Sequence, residues 1–296
     1  MALHNRILHN GRIRNADSPG LFAGQIGLLA GWGVFSTLRV SGGALFAWER
    51  HWARMSRDAR LVNVAMPASA DEVEEDLLRL IEANGRPECT LRVVVVRNGG
   101  GIWEGPASGS ASDVIALTAD CRKWGESVRL GVQANARFAA NEFCGAKILS
   151  WGQNLTMAER ATGQGFDELV LLNEHGRVAE CTSANIFAAF GNDVVTPPVS
   201  EGCLPGITRE VLLQEIRLGQ IGLDGWQVRE GALGMDDLYG ADEVFITSTT
   251  RDLLRVREIA GRELNGRGVA RERLNAAFGD FVKNDLARRK PAGVAA

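Results

Sequence analysis

The run Thr90-Leu91-Arg92-Val93-Val94-Val95-Val96-Arg97, stopped by Asn98 and three glycines, constrains the fold more than any other stretch. Four consecutive valines favour a buried, pleated strand, and the glycines end it. What surrounds it is not the strand–helix alternation of a parallel sheet. VFSTLRVSGGALFAW is two β-rich runs around Ser41-Gly42-Gly43, a hairpin pattern. ERHWARMSRDARLVNV reads as a helix, with Trp52, Met55 and Ala59 on one face. ADEVEEDLLRLIEANG reads as a second helix, ended by Asn84-Gly85.

Further on, SVRLGVQANARF reads as a strand and LTMAERATGQG as a helix. FDELVLLNEHGRVAECTSANIFAAF reads as a hairpin turning near Glu174-His175-Gly176. PGITREVLLQEIRLGQIG has a clear helix start, and ADEVFITSTTRDLLRVREIAG reads as strand, Ser/Thr cluster, strand. Hairpins mixed with separate helices predict an α+β fold. A chain of 296 residues is comfortable for two domains. The connector-like ALTADCRKWGES places them at 1–119 and 128–296, with a linker at 120–127.

Charge and composition exclude several classes. A net charge of −3 lacks the basic excess of a nucleic-acid or membrane-surface binder. The longest apolar runs, such as GLLAGWGVF, are too short and glycine-rich to cross a bilayer. MALHNRILHNGRIRN has no apolar signal core. Cys89, Cys121, Cys144, Cys181 and Cys203 are scattered and odd in number, the pattern of reduced thiols, so a cytoplasmic location is expected. His4, His9, His51 and His175 form no H-x-x-x-H pair, and no metal site is expected. Neither G-x-G-x-x-G after a first strand nor G-x-x-x-x-G-K-[ST] occurs, which argues against a Rossmann or P-loop nucleotide site.

The candidate chemistry starts from Lys147. Lysine occurs only at 123, 147, 283 and 290, every other basic position being Arg. Lysine can lose its proton and attack a carbonyl, whereas arginine cannot. FCGAKILSWGQNL therefore reads either as a Schiff-base lysine or as a lysine whose stem lies along apolar surface. Glu180, in the strand-like RVAECTSANIF, is a carboxylate that suits a protonated ring nitrogen, or an edge charge. Leu204-Pro205-Gly206-Ile207-Thr208-Arg209 opens a helix, whose free N–H groups bind phosphate or take an ordinary cap. Thr247-Ser248-Thr249-Thr250 offers a second hydroxyl cradle. Arg54, on ERHWARMSR, adds a guanidinium for the same phosphate or is a solvated helix charge. A lysine for an aldehyde, a carboxylate for a pyridine nitrogen and two cradles for a phosphate together name pyridoxal 5′-phosphate.

The order GVFSTLRV, HWARM, Lys147, GFDELVLLNEHGRVAECTSANIF, LPGITREVL, VFITSTT resembles the class IV, or fold-type IV, pyridoxal-phosphate enzymes over most of the chain. These include branched-chain and D-amino-acid aminotransferases, (R)-selective amine transaminases and 4-amino-4-deoxychorismate lyases. The resemblance implies a small N-terminal α/β domain, a larger C-terminal domain, a cofactor between them and a homodimer. It implies that Lys147 holds the cofactor as an imine and shuttles the Cα proton. It implies that Glu180 partners the pyridine nitrogen and that Arg54, Ile207, Thr208 and Thr249, with Ser248 beside them, bind phosphate.

The chain departs from the common family pattern at Trp32 and Ser36, which replace acidic residues, and at Phe35, which stands where D-amino-acid aminotransferases carry a tyrosine. No second arginine follows RVVVVR, which leaves Arg97 as a carboxylate candidate. An apolar pocket around Trp32, Phe35 and Trp103, with Thr250 also on the substrate side, would favour hydrophobic amino acids or amines as donors to a 2-keto acid. Ser36-Thr37 and ECTSAN are reminiscent of the lyases, so elimination of pyruvate from aminodeoxychorismate is the alternative.

Overall fold

A computed structural model describes residues 2–289, apart from 19, 22–23, 102–108, 218–222, 224 and 267. The chain divides into two compact units. The first takes residues 1–122, 147–151 and 283–296, and the second takes 123–146 and 152–282.

The first unit is built on β1 (Leu3–His9), β2 (Arg12–Asn15), α1 (Ile26–Ala30), β3 (Gly33–Ser41), β4 (Ala44–Leu45), α2 (Trp48–Leu61), α3 (Ala70–Asn84), β5 (Cys89–Arg97) and β6 (Ser112–Ala119). Its sheet runs β2-β1-β6-β5-β3-β4 and is antiparallel throughout. The valine run is β5, flanked on both sides by strands. The β3–β4 turn uses Gly42 and Gly43 at φ 57° and 77°, the double left-handed geometry a two-residue hairpin needs. The second arm is shorter than expected, because Ala47 adopts φ 52° and Trp48 already begins α2. That helix stops at Leu61, three residues before the expected end. In α3, the Ser69 hydroxyl accepts from Glu72 N–H, Gly85 closes the far end at φ 60°, and Val73, Leu77, Leu80 and Ile81 are buried on one stripe. They join Leu38, Leu91, Val93, Val95 and Met55 in the core.

The second unit contains β7 (Ser127–Arg137), α4 (Gly152–Gly163), β8 (Glu168–Asn173), β9 (Val178–Cys181), β10 (Asn185–Phe190), β11 (Asp193–Thr196), α5 (Ile207–Arg217), β12 (Gln227–Glu230), α6 (Met235–Gly240), β13 (Glu243–Ser248), β14 (Asp252–Ile259) and β15 (Arg262–Glu263). α7 (Val269–Arg289) contributes its residues up to Val282. The sheet order is β12-β11-β10-β13-β14-β7-β8-β9, with β15 on β14. β8 and β9 form the expected hairpin, but the chain then turns at 182–184 and β10 pairs with β11 and β13. Three pairs are parallel, namely β7–β8, β7–β14 and β11–β12, so this sheet is mixed. No described helix is long and apolar enough to cross a membrane.

Candidate active site

In the first unit, residues 147–149 lie along β3 at the end that β4 leaves uncovered. Phe35 N–H donates to Lys147 O at 3.1 Å, and Leu149 N–H donates to Gly33 O at 2.9 Å. A third anchor comes from α2, where Asp58 Oδ2 accepts the Lys147 N–H at 3.0 Å. Three bonds thus fix the backbone from which the Lys147 side chain departs, and that segment is extended rather than helical. The ammonium nitrogen lies 4.5 Å from the centroid of Phe35 and 4.7 Å from that of Trp151, whose rings meet edge to face at 5.6 Å. Successive residues of β3 face opposite ways. Phe35 therefore shares a face with Arg92, the partner of Thr37 on β5, whose guanidinium carbon is 4.0 Å from the Phe35 centroid. Burial lowers the Arg92 pKa, and among the described residues no acceptor pairs with it.

Ser36 points the other way, towards α2. Its hydroxyl is 2.7 Å from His51 Nδ1 and accepts from Arg54 Nη2 at 2.8 Å. All three side chains are buried, so Arg54 is not a solvated helix charge. Desolvation, then the charges of Arg54, Lys147 and Arg289, pushes the His51 pKa well below 6.5.

In the second unit, Glu180 sits on β9 with both oxygens accepting. Arg137 Nε donates to Oε1 at 2.9 Å and Leu204 N–H to Oε2 at 3.0 Å. Leu204 leads into the start of α5. Its carbonyl accepts from Asn185 Nδ2 at 2.7 Å, and a Cβ on Gly206 would overlap Asn185 Oδ1. Asn185 is also the cross-strand partner of Thr247 on β13. The Ile207-Thr208 helix start and the Thr247–Thr250 cluster therefore share one neighbour. The hydroxyls of Thr208 and Thr247 are buried, with no partner among the described residues.

The family profile Amino-transferase class IV matches residues 33–259. The chain belongs to the class IV aminotransferases. The D-alanine aminotransferase of Bacillus licheniformis is 29% identical over 263 residues, covering 88% of this chain and 90% of that protein. The branched-chain-amino-acid aminotransferase of Pseudomonas aeruginosa is 29% identical over 273 residues, covering 85% of this chain and 84% of that protein. The solved branched-chain amino acid aminotransferase of T.th. with pyridoxamine 5′-phosphate superposes with a TM-score of 0.83 at 25% identity, covering 97% of this chain and 96% of that one. The fold is the α+β fold-type IV fold, and the activity is that of a pyridoxal-phosphate-dependent aminotransferase acting on an amino acid and a keto acid.

This class IV aminotransferase has donors that suit the cofactor. A buried hydroxyl without a partner costs about 1–3 kcal/mol, and the phosphate oxygens of pyridoxal phosphate are acceptors of the kind Thr208 and Thr247 lack. The free N–H groups of an 11-residue helix open beside them.

Other predicted residues are placed differently. Arg97 donates to Gly99 O and Asn63 O, both at 2.7 Å, and stacks on Trp32. Trp32 donates its indole N–H to Val62 O at 2.6 Å, and Phe35 packs with Trp151 instead. Trp103 lies outside the described residues. Thr250 O accepts from Trp124 Nε1 at 2.9 Å. Sequence reasoning missed Arg92, Asp58, His51 and Arg137. The first three had a signal: an arginine inside a valine strand, and His51, Arg54 and Asp58 at i, i+3, i+7 on the buried stripe of α2.

Proposed function

We propose that this aminotransferase moves an amino group between a hydrophobic amino acid, branched-chain or D-configured, or an amine, and a 2-keto acid. The observation that carries the reading is the setting of Lys147, whose amine lies between two aromatic rings with Arg92 on the same ring. The rings offer apolar surface to a side chain, and Arg92 offers a desolvated cation to a substrate carboxylate.

When bound, pyridoxal phosphate supplies an electrophilic aldehyde carbon and a ring that accepts an electron pair. Lys147 would hold the cofactor and move the proton at the substrate Cα through Nζ. Glu180, oriented by Arg137 and Leu204 N–H, would pair with the ring nitrogen. Arg54, Ile207, Thr208, Ser248 and Thr249 would hold the phosphate, the first through its guanidinium and the others through backbone N–H groups and hydroxyls. The aromatic surface around Lys147 limits water at the amine.

Elimination to pyruvate has less support. Three of the hydroxyls that favour a lyase have protein partners: Ser36 binds His51 and Arg54, while Thr182 and Ser183 donate to Glu168. Exposed Phe138, Phe143 and Val199 support a homodimer, since aromatic side chains concentrate at such interfaces. A cytoplasmic location rests on the five free thiols.

The test is a visible spectrum of the purified chain, wild type against Lys147→Ala, followed by single amino donors. A band altered in the mutant and bleached by leucine, valine or a D-amino acid is expected. No band after adding pyridoxal phosphate would refute the reading, and pyruvate release from aminodeoxychorismate without donor conversion would replace it with the lyase.

A further inference from the structure

The triad behind β3 has a defined direction. Ser36 Oγ accepts one N–H from Arg54 and lies within bonding distance of His51 Nδ1. Ser36 has a single proton, and no other acceptor for it is found among the described residues. The hydroxyl therefore donates to Nδ1, and the imidazole proton resides on Nε2, which is buried with no partner among the described residues. Neutral His51 gives the serine proton its acceptor, whereas a protonated ring would itself donate at Nδ1 and leave that proton without one among the described residues. Burial at 0% exposure and the neighbouring positive charges keep the ring neutral.

A guanidinium on a long side chain has several rotamers to lose, and a fixed acceptor selects one of them. The acceptor here lies on the rigid centre of a strand bonded along its length to β5. We propose that Ser36, oriented by His51, is a positioning residue that holds the Arg54 guanidinium for the phosphate of the cofactor. The inference rests on the reading of Arg54 as a phosphate ligand.

The experiment compares dissociation constants of the full-length chain for pyridoxal 5′-phosphate and for pyridoxal, which lacks the phosphate. The ratio of the two isolates what the phosphate contributes. Arg54→Ala should reduce that ratio by about a hundredfold and Ser36→Ala by about tenfold, the scale of a lost hydrogen bond to a charged group. Ser36→Thr, which keeps the hydroxyl, should restore it. In the Arg54→Ala background, Ser36→Ala should change nothing further, since the two act as one unit.

Pyridoxal affinity and the unfolding midpoint report whether each variant keeps its fold. If Ser36→Ala does not fold, Ser36→Cys, near-isosteric with a weaker acceptor, carries the same expectation. Equal loss for pyridoxal and pyridoxal phosphate in Ser36→Ala would make the role structural and overturn the inference. So would a full Ser36→Ala effect without Arg54. An unchanged ratio in Arg54→Ala would instead refute Arg54 as a phosphate ligand, and the inference would go with it.

Discussion

Asp58 Oδ2 accepts the backbone N–H of Lys147 at 3.0 Å, so a carboxylate on a helix fixes where the lysine leaves the main chain. Asp58 is 1% exposed and also pairs with Arg57. Asp58→Ala leaves a half-buried N–H without its acceptor and removes a charge-assisted bond, a loss of about 1.5–3 kcal/mol. Asp58→Asn keeps an oxygen that can accept and should lose less. The expected result is a lower denaturation midpoint and at least a tenfold slower single turnover in Asp58→Ala. Wild-type stability and rate in that variant would mean Lys147 needs no such anchor.

Arg92 and Lys147 approach the same ring, that of Phe35. If Arg92 receives the substrate carboxylate, Arg92→Met should cut kcat/KM for amino acids by about 10–100-fold, the scale of a charged hydrogen bond. Amines without a carboxylate should be little affected. Equal losses for both donors would place Arg92 in the fold rather than in recognition. Arg97→Met, whose donors already serve Gly99 and Asn63, should discriminate far less.

Much of the fold was legible from local physics. The valine run is a flanked strand, Gly42-Gly43 make the tight turn, and Ser69 and Gly85 bound α3. What was not legible depends on long-range pairing. Nothing local in SVRLGVQANARF says that it pairs in parallel with both β8 and β14. The apolar texture of AECTSANIFAAF hides the turn that sends β10 to another neighbour. At the site, Lys147 stood out because lysine is scarce, and Glu180 because a carboxylate is costly inside a strand. Arg92 is marked as an arginine inside a valine strand, but its stacking on Phe35 depends on a cross-strand register that only the sheet reveals.

The thiols make a separate test. Burial pushes Cys89 and Cys203 up to about 12 and Cys181 well above 9. A thiol is reactive as its thiolate, so these should be inert at pH 8. Cys121 is exposed and should react first with an aromatic disulfide reagent, with half-buried Cys144 slower. Loss of the fast phase in Cys121→Ser is expected. A fast phase that survives would mean a buried thiol opens readily to solvent.

His51 should leave a signature in acid. Its pKa in the fold is depressed below the unfolded value of 6.5, so the unfolded chain binds a proton that the folded chain refuses. Stability from this group is complete above pH 6.5 and falls as pH drops below it, by up to about 1.4 kcal/mol per pH unit. His51→Gln cannot titrate, and its stability should decline less between pH 6.5 and 5 than that of the wild type, whatever its value at pH 8. Urea midpoints at four pH values measure this directly. Parallel curves for the two proteins would show that His51 is protonated in the fold.

Gly206 is where the start of α5 and Asn185 come closest. A Cβ there would overlap Asn185 Oδ1, the side chain whose amide nitrogen holds Leu204 O. Gly206→Ala must displace Asn185 or the turn, and either move shifts the N–H groups of Ile207 and Thr208. Leu204 N–H also donates to Glu180, so the same shift loosens the carboxylate. If the helix start holds the phosphate, the expected outcome is weaker binding of pyridoxal phosphate by about tenfold or more, with a smaller loss for pyridoxal. Asn185→Ala in the same background opens room for the new methyl and should recover part of the affinity. Full cofactor affinity in Gly206→Ala alone would place the phosphate away from α5.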